Sequence, residues 1–304
     1  MTTELSDKRL PVAESTGLRL SGAKTLLLFV CCWIFSWAVG LVVIGLVGGA
    51  TLERLRWAVV LQDLVIFMLP TVMTFLIAAN RPWRLMGVDR APGWFGVIST
   101  LFTLVVAIPA MNLIVAWNES VHLPDSMARL EELLRTYEAT AGAMVEGLLG
   151  GTGVGDLLVS VLIIGILTGV AEECFFRGGL QSILMRIFPN PHVAIWVAAV
   201  VFSAIHMQFF GFVPRLLLGA FFGYLYWWSG SLWLAVAAHA FNNSLVVLNM
   251  WLIRRGVENL NLDSLGAGGG GGHAILAVLS FALAFVSVWY MWRHLPMMRD
   301  NGKQ

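Results

Sequence analysis

Charged side chains are scarce in this sequence. Asp, Glu, Lys and Arg make up 12% of its 304 residues, whereas a soluble globular domain carries about 25%. Hydrophobic residues account for 58%, and the mean hydropathy is +0.80. With so few charges, the outer surface must be apolar as well as the core, which predicts an integral membrane protein in contact with the lipid bilayer. The net charge of +1 gives no basis for nucleic-acid binding.

Cysteine is also scarce, and there are only three cysteines in the chain. Cys31 and Cys32 are adjacent within one apolar run, and Cys174 lies in another. Neighbouring cysteines do not readily bridge each other, and no CxxC pattern is present. The sequence therefore predicts neither a disulfide framework nor a cysteine metal site.

Long apolar runs dominate what is present. Each is close to the length of about 20 residues that a helix needs to cross the hydrocarbon core. They cover residues 25–48, 57–79, 94–116, 157–181, 193–210, 212–228, 231–252 and 273–293. The first run starts too late and is too long for a signal peptide. The expected fold class is all-α, a polytopic bundle of about eight transmembrane helices.

These runs divide the chain into segments. We expect a cytoplasmic N-terminal segment 1–24, three transmembrane helices in 25–117, a helical core in 157–252, a Gly-rich loop 253–272, and a last helix with a tail in 273–304. Segment 118–156 carries apolar residues at helical spacing between charges, which predicts an amphipathic helix on the membrane surface or over the bundle. Of the 19 Lys and Arg residues, 12 would lie inside and 7 outside if the N-terminus is cytoplasmic. This bias predicts that both termini are cytoplasmic.

The stretch 168-TGVAEECFFRGGL-180 places three charges inside an apolar run. A charge at mid-bilayer costs at least about 2.5–3.5 kcal/mol, so such residues usually serve a function. Glu173 and Arg177 are four residues apart and can pair on one helix face. Glu172 points about 100° away from Glu173 and has no local partner. It is therefore a candidate general base or acid, although a purely structural ion-pair network of all three residues stays open.

Two later runs also carry polar residues. His206 lies well inside the predicted fifth span, and His239 and Asn243 are four residues apart on one face of the predicted seventh. Counted along each helix, these residues and Glu172 lie roughly 12–20 Å from the cytoplasmic side, so they can meet in one cavity. Asp63 and Arg215 lie near span ends, where we expect structural roles.

In order along the chain, these residues read Glu172-Glu173-x-x-x-Arg177, Phe202-x-x-x-His206 and His239-x-x-x-Asn243. This pattern resembles the CAAX-protease and bacteriocin-processing (CPBP, or Abi) family of intramembrane endopeptidases, which includes CAAX prenyl protease type 2. The resemblance covers about residues 155–252. It implies that Glu172 is the catalytic acid/base, that His206 helps to activate water and that His239 and Asn243 stabilise the oxyanion. Glu173 and Arg177 would support the site.

The resemblance also implies a substrate class and a location. The substrate would be a membrane-associated peptide or protein, including prenylated CAAX-type chains, cleaved in the bacterial cytoplasmic membrane. We favour a metal-independent, glutamate-type hydrolysis without a cofactor. A zinc site stays open, because Glu172, His206 and His239 are ligand types of catalytic zinc. An ion-coupled transporter and a non-catalytic bacteriocin-immunity protein are the alternative functions.

Overall fold

The computed structural model describes residues 19–48, 51–257, 261–268 and 271–295. These ranges are largely helical and contain no β-strand, which confirms the all-α fold class. The expectations for most of the N-terminal segment and for the C-terminal tail lie outside the described residues.

Seven of the helices are long and apolar enough to cross a bilayer, so the protein is a polytopic membrane protein. They are α1 (Gly22–Val47), α2 (Leu52–Ala78), α3 (Trp94–Glu119), α5 (Val154–Ile187), α7 (Phe212–Ser229, preceded by the 3-10 turn Phe209–Gly211), α8 (Leu232–Arg254) and α9 (Gly271–His294). Two further helices are α4 (Ala128–Leu148) and α6 (Pro191–Ala204).

The predicted fifth span, 193–210, is corrected by α6. This helix has 14 residues, about 21 Å at 1.5 Å per residue, which is less than the 30 Å of hydrocarbon. Apolar composition continues past Ala204, but the helical backbone does not. The Ser203 hydroxyl donates to the carbonyl of Phe212 at 2.7 Å, and α6 then packs along α7. Hydropathy alone could not detect this early end, because apolar residues (Ile205, Met207, Phe209 and Phe210) continue through the turn.

Helix α5 lies at the centre of the bundle and contacts α1, α2, α6, α7 and α8. Its α-helical segment Thr168–Glu173 is flanked by two π-helical segments, Val161–Leu167 and Cys174–Gln181. Such wide turns are rare and often occur at functional sites. Here they flank the turn that carries Glu172 and Glu173.

The amphipathic segment forms α4, which lies against the bundle. Its Arg135 guanidinium covers the ring of Phe210 at 4.0 Å, and Glu138 accepts a hydrogen bond from the Phe210 backbone at 3.2 Å. Near the other end, Arg254 of α8 donates to the carbonyls of Glu146 and Leu149. Helix α4 is therefore anchored beside the turn that follows α6.

Candidate active site

The centre of the site is an ion pair in α5. Arg177 Nη1 donates to Glu173 Oε1 at 2.6 Å, and both side chains are almost completely buried. This confirms the pairing predicted from their spacing. Arg177 Nη2 also donates to the carbonyl of Gly219 in α7 at 2.7 Å. A Cβ at position 219 would lie 2.9 Å from the Phe202 ring, so glycine permits this close approach.

His239 links the two glutamates. Its Nδ1 lies 2.8 Å from Glu173 Oε1, and its Nε2 lies 3.8 Å from Glu172 Oε2. The imidazole stacks on the Phe222 ring at 5.1 Å. The expectation that Glu172 lacks a partner is true only along α5, because a histidine 67 residues later faces it. Since a carboxylate accepts, Nδ1 of His239 carries the proton, and Nε2 faces Glu172.

His206 differs from its predicted position inside a helix. It lies in the turn after α6, and its Nδ1 donates to the Phe202 carbonyl at 2.7 Å. This bond leaves Nε2 free to accept a hydrogen bond. The next residue, Met207, has φ 54°, an uncommon and strained backbone conformation outside glycine. The Phe202 ring contacts both His206 and His239, at centroid distances of 5.2 and 5.8 Å.

Asn243 lies one turn beyond His239 in α8. Its Nδ2 donates to the Ile164 carbonyl of α5 at 3.2 Å, and its Oδ1 accepts from Asn242 at 3.4 Å. The second N–H of the Asn243 amide takes part in neither of these two hydrogen bonds. The structure thus brings Glu172, Glu173, Arg177 and His239 into direct contact, with His206 and Asn243 beside them on α6–α7 and α8.

Asp63, for which we expect a structural role near a span end, lies inside the bundle and not at its surface. The side chain is fully buried. Its Oδ2 accepts from the Thr168 hydroxyl at 2.7 Å, and Thr168 precedes Glu172 by one helical turn. Its Oδ1 is buried without a hydrogen-bond partner. The sequence signal for this burial was a carboxyl group inside an apolar run. Because Asp63 lies close to the start of the run, its burial could not be predicted from the sequence.

A zinc centre at this site would use Glu172, His206 and His239 as its ligands. Within the described ranges, no three His, Cys, Asp or Glu side chains are grouped so that they could hold a metal ion. Glu172 Oε2 and His239 Nε2 lie 3.8 Å apart, and His206 does not complete a group of three ligands with them. Independence from a metal ion stays a prediction.

A cavity of about 400 Å³ lies on the other side of α8 from Glu172, between α3, α7, α8 and α9. Its walls are mostly aliphatic, and Asn242 contributes one polar group beside Asn243. At one end the turn Leu262–Ser264 is held by hydrogen bonds from Asn112 and Asn249. The cavity can accommodate an apolar chain next to the His239-x-x-x-Asn243 motif of α8.

Comparison with known proteins agrees with the motifs. Residues 154–245 match the family model described as type II CAAX prenyl endopeptidase Rce1-like, which confirms the resemblance noted in the sequence. The match covers less than a third of the chain. It contains all six candidate residues, from Glu172 to Asn243.

One curated relative is the uncharacterized protein YpbD of Bacillus subtilis (strain 168). It is 28% identical over 83 residues, which is 26% of this chain and 39% of YpbD. The chain therefore aligns with well under half of that relative. No solved structure matches.

Proposed function

We propose that this protein is an intramembrane endopeptidase of the type II CAAX class. The contact of Glu172 with His239 carries the proposal, because it places a carboxylate beside a histidine in the apolar interior. The Rce1-like segment 154–245 supports the same class. Buried acid/base groups of this kind are costly to a membrane protein and are kept for function.

Glu172 is proposed as the general base. It would take a proton from a water molecule whose oxygen attacks the carbonyl carbon of the scissile peptide bond. His206 Nε2, which is not used in the bond to Phe202, would accept a hydrogen bond from the second O–H of the water and so orient the water for attack. When the tetrahedral intermediate collapses, the C–N bond breaks and Glu172 returns its proton to the leaving amine.

Asn243 and His239 are proposed to stabilise the oxyanion. The second N–H of Asn243 is available for this bond, since the first is held by Ile164. His239 Nε2 can donate only when the ring carries both protons, and the carboxylate of Glu173 beside Nδ1 would offset that charge once Glu172 has taken the proton of the water. Such donors act strongly in a dry site.

The proposed substrate is a membrane-associated peptide or protein whose lipid or apolar segment occupies the cavity beside Asn242. A mostly apolar wall with a few polar groups, next to the helix that carries His239 and Asn243, suits a chain that enters from the bilayer. We further propose the bacterial cytoplasmic membrane as the location, with both termini cytoplasmic.

The test is cleavage of a quenched farnesylated peptide ending in Cys-aliphatic-aliphatic-Ser by purified full-length protein in lipid nanodiscs. Glu172→Gln should lower kcat about 10²- to 10⁴-fold, because general acid/base catalysis contributes that much. Glu132→Gln, the same change on an exposed carboxylate of α4, should keep wild-type activity.

Mass spectrometry of membrane proteomes from cells with wild-type or Glu172→Gln protein would identify natural cleavage sites. Equal cleavage by both proteins would refute the role of Glu172. A chelator arm tests the zinc alternative, since a metal-independent enzyme should keep its rate with 1,10-phenanthroline. Loss of activity restored by added zinc would contradict the glutamate-type proposal.

A further inference from the structure

Arg215 is a cationic side chain that the proposed hydrolysis does not use. It lies in the first turn of α7 and is partly buried. Its Nη2 donates to Gln208 Oε1 at 2.7 Å, and its Nη1 is buried without a hydrogen-bond partner. In the described part of the chain, no carboxylate lies within 4.0 Å of this guanidinium.

The packing of α7 on α5 places Arg215 at the level of Glu172 and Glu173. Arg177 donates to the carbonyl of Gly219 and Gln181 to that of Gly223, and each pair is 42 residues apart. One helical turn earlier in both helices, the same separation of 42 residues places Arg215 at the level of Glu173. The charge of Arg215 accordingly acts on His206, and that of Glu172 acts on Arg215.

The surroundings of Arg215 leave its charge incompletely balanced. Besides Glu172, the carboxylate of Glu138 acts electrostatically on Arg215, but Glu138 also accepts a hydrogen bond from the Phe210 backbone. Arg177, by contrast, has Glu173 at 2.6 Å. An arginine inside an apolar protein normally pairs with an anion, so the Arg215 guanidinium is a candidate binding site for an anion.

The present acceptor of Arg215 can be displaced. Gln208 is a neutral amide in the turn between His206 and Phe209, and the neighbouring Met207 is 63% exposed. A charge-assisted hydrogen bond to a carboxylate is roughly twice as strong as one to a neutral amide. A carboxylate that reaches this turn would therefore replace Gln208 as the partner of the guanidinium.

We propose that Arg215 binds a carboxylate of the substrate, near the bond that Glu172 and His206 hydrolyse. This inference rests on the proposed function and deepens it. Two sources share the chemistry: the free C-terminal carboxylate of the chain, and an acidic side chain close to the scissile bond. Either source would make Arg215 a determinant of where the substrate is cut.

The experiment compares three farnesylated peptides with full-length protein in nanodiscs. One ends in Cys-aliphatic-aliphatic-Ser with a free carboxylate, the second is its C-terminal amide, and the third is an amide with Glu in place of Ser. Wild type should cleave the free acid with a kcat/KM about 10- to 100-fold above that of the amide, as expected for a charge-assisted bond. Arg215→Gln should abolish this preference, so that the acid and the amide are cleaved with equal kcat/KM.

Arg215→Lys should keep part of the preference, since the charge remains while the planar fork is lost. Arg255→Gln is the matched control, because Arg255 is exposed at the end of α8 and contacts only the Trp251 ring among aromatic groups. If the Glu-containing amide recovers the Arg215-dependent rate, an acidic side chain is also accepted.

The outcomes separate the two proposals. If wild type cleaves none of the peptides, the proposed CAAX-type activity fails. If wild type cleaves acid and amide equally, or if Arg215→Gln lowers both rates by the same factor, the carboxylate site is refuted while the peptidase stands.

Discussion

At the residue scale, the two adjacent glutamates have different surroundings. Glu173 contacts both Arg177 and His239 and is fully buried, whereas Glu172 faces only the His239 ring at a longer distance. Glu173 therefore neutralises a buried guanidinium and orients an imidazole. Glu172 therefore keeps a carboxylate oxygen that can accept a proton from a water molecule.

This difference predicts separate effects on stability. Glu173→Gln leaves Arg177 buried without its carboxylate, which should lower the free energy of unfolding by about 3–5 kcal/mol. Glu172→Gln should change it by about 1 kcal/mol or less. Unfolding in mixed detergent and SDS micelles measures both values. Equal losses for the two variants would contradict the division of roles, and Arg177→Met in the Glu173→Gln background should restore part of the stability.

At the scale of elements, the contact of α7 with α5 and α6 depends on small residues. Gly219 lets the Arg177 guanidinium reach a backbone carbonyl, and Gly223 does the same for Gln181. These two bonds set the register that brings Arg215 level with the glutamates.

Gly219→Ala should therefore destabilise the protein by about 1–3 kcal/mol. The new Cβ would lie 2.9 Å from the Phe202 ring and 3.4 Å from the Ala199 backbone. Gly155→Ala is the control, because nothing lies within 4 Å of a Cβ there, and it should be neutral or up to about 1 kcal/mol stabilising. Thermal unfolding of the two variants measures the contrast, and an equally stable Gly219→Ala protein would contradict the tight packing.

The start of α4 contains a second polar cluster. Glu131 accepts hydrogen bonds from the Leu123 backbone at 2.8 Å and from Arg135 at 2.7 Å, with His122 at 3.0 Å. These hydrogen bonds lower the pKa of Glu131 from 4.5 to about 2. The bond from the Leu123 N–H has the largest effect, followed by those of Arg135 and His122. The cluster holds α4 beside Phe210 and the turn of His206.

This pKa shift fixes the sign of a pH dependence. Because the folded pKa is below the unfolded value, the stability from Glu131 is present above about pH 4.5 and is lost as the pH falls towards about 2. Glu131→Gln should lower the Tm at pH 7, and the difference from wild type should shrink between pH 5 and 2. A Tm difference that stays constant across this range would contradict the assignment.

At the scale of the whole molecule, α6 and α7 form an antiparallel pair. Ser203 near the end of α6 bonds the start of α7, and His192 near its beginning contacts the Tyr224 hydroxyl near the end of α7 at 2.8 Å. The chain thus enters and leaves this pair at one side. If each of the other six long helices crosses the bilayer once, we expect an even number of crossings whether or not the pair itself spans it.

An even number would place both termini on the same side of the membrane, and the distribution of Lys and Arg predicts that this side is the cytoplasm. Fusions test this: GFP at either terminus should fluoresce, and alkaline phosphatase at the C-terminus should be inactive. Phosphatase fused after residue 150 should be active, as the control for the opposite side. An active C-terminal phosphatase would show an odd number of crossings.

The sequence by itself determined the membrane class, the helical fold and the Glu173–Arg177 pair. Composition decides what can face lipid, and residues four apart on a helix meet whatever the rest of the chain does. It also indicated the six motif residues, because polar groups in apolar runs are few and costly.

Only the tertiary structure decided which of these groups touch. His239 contacts both glutamates, Asp63 is buried against Thr168, and His206 lies in a turn because α6 ends at Ala204. Each result depends on the register between helices far apart in the chain. That register is set by close packing at Gly219 and Gly223 and by hydrogen bonds between helices, which apolar periodicity along one helix does not encode.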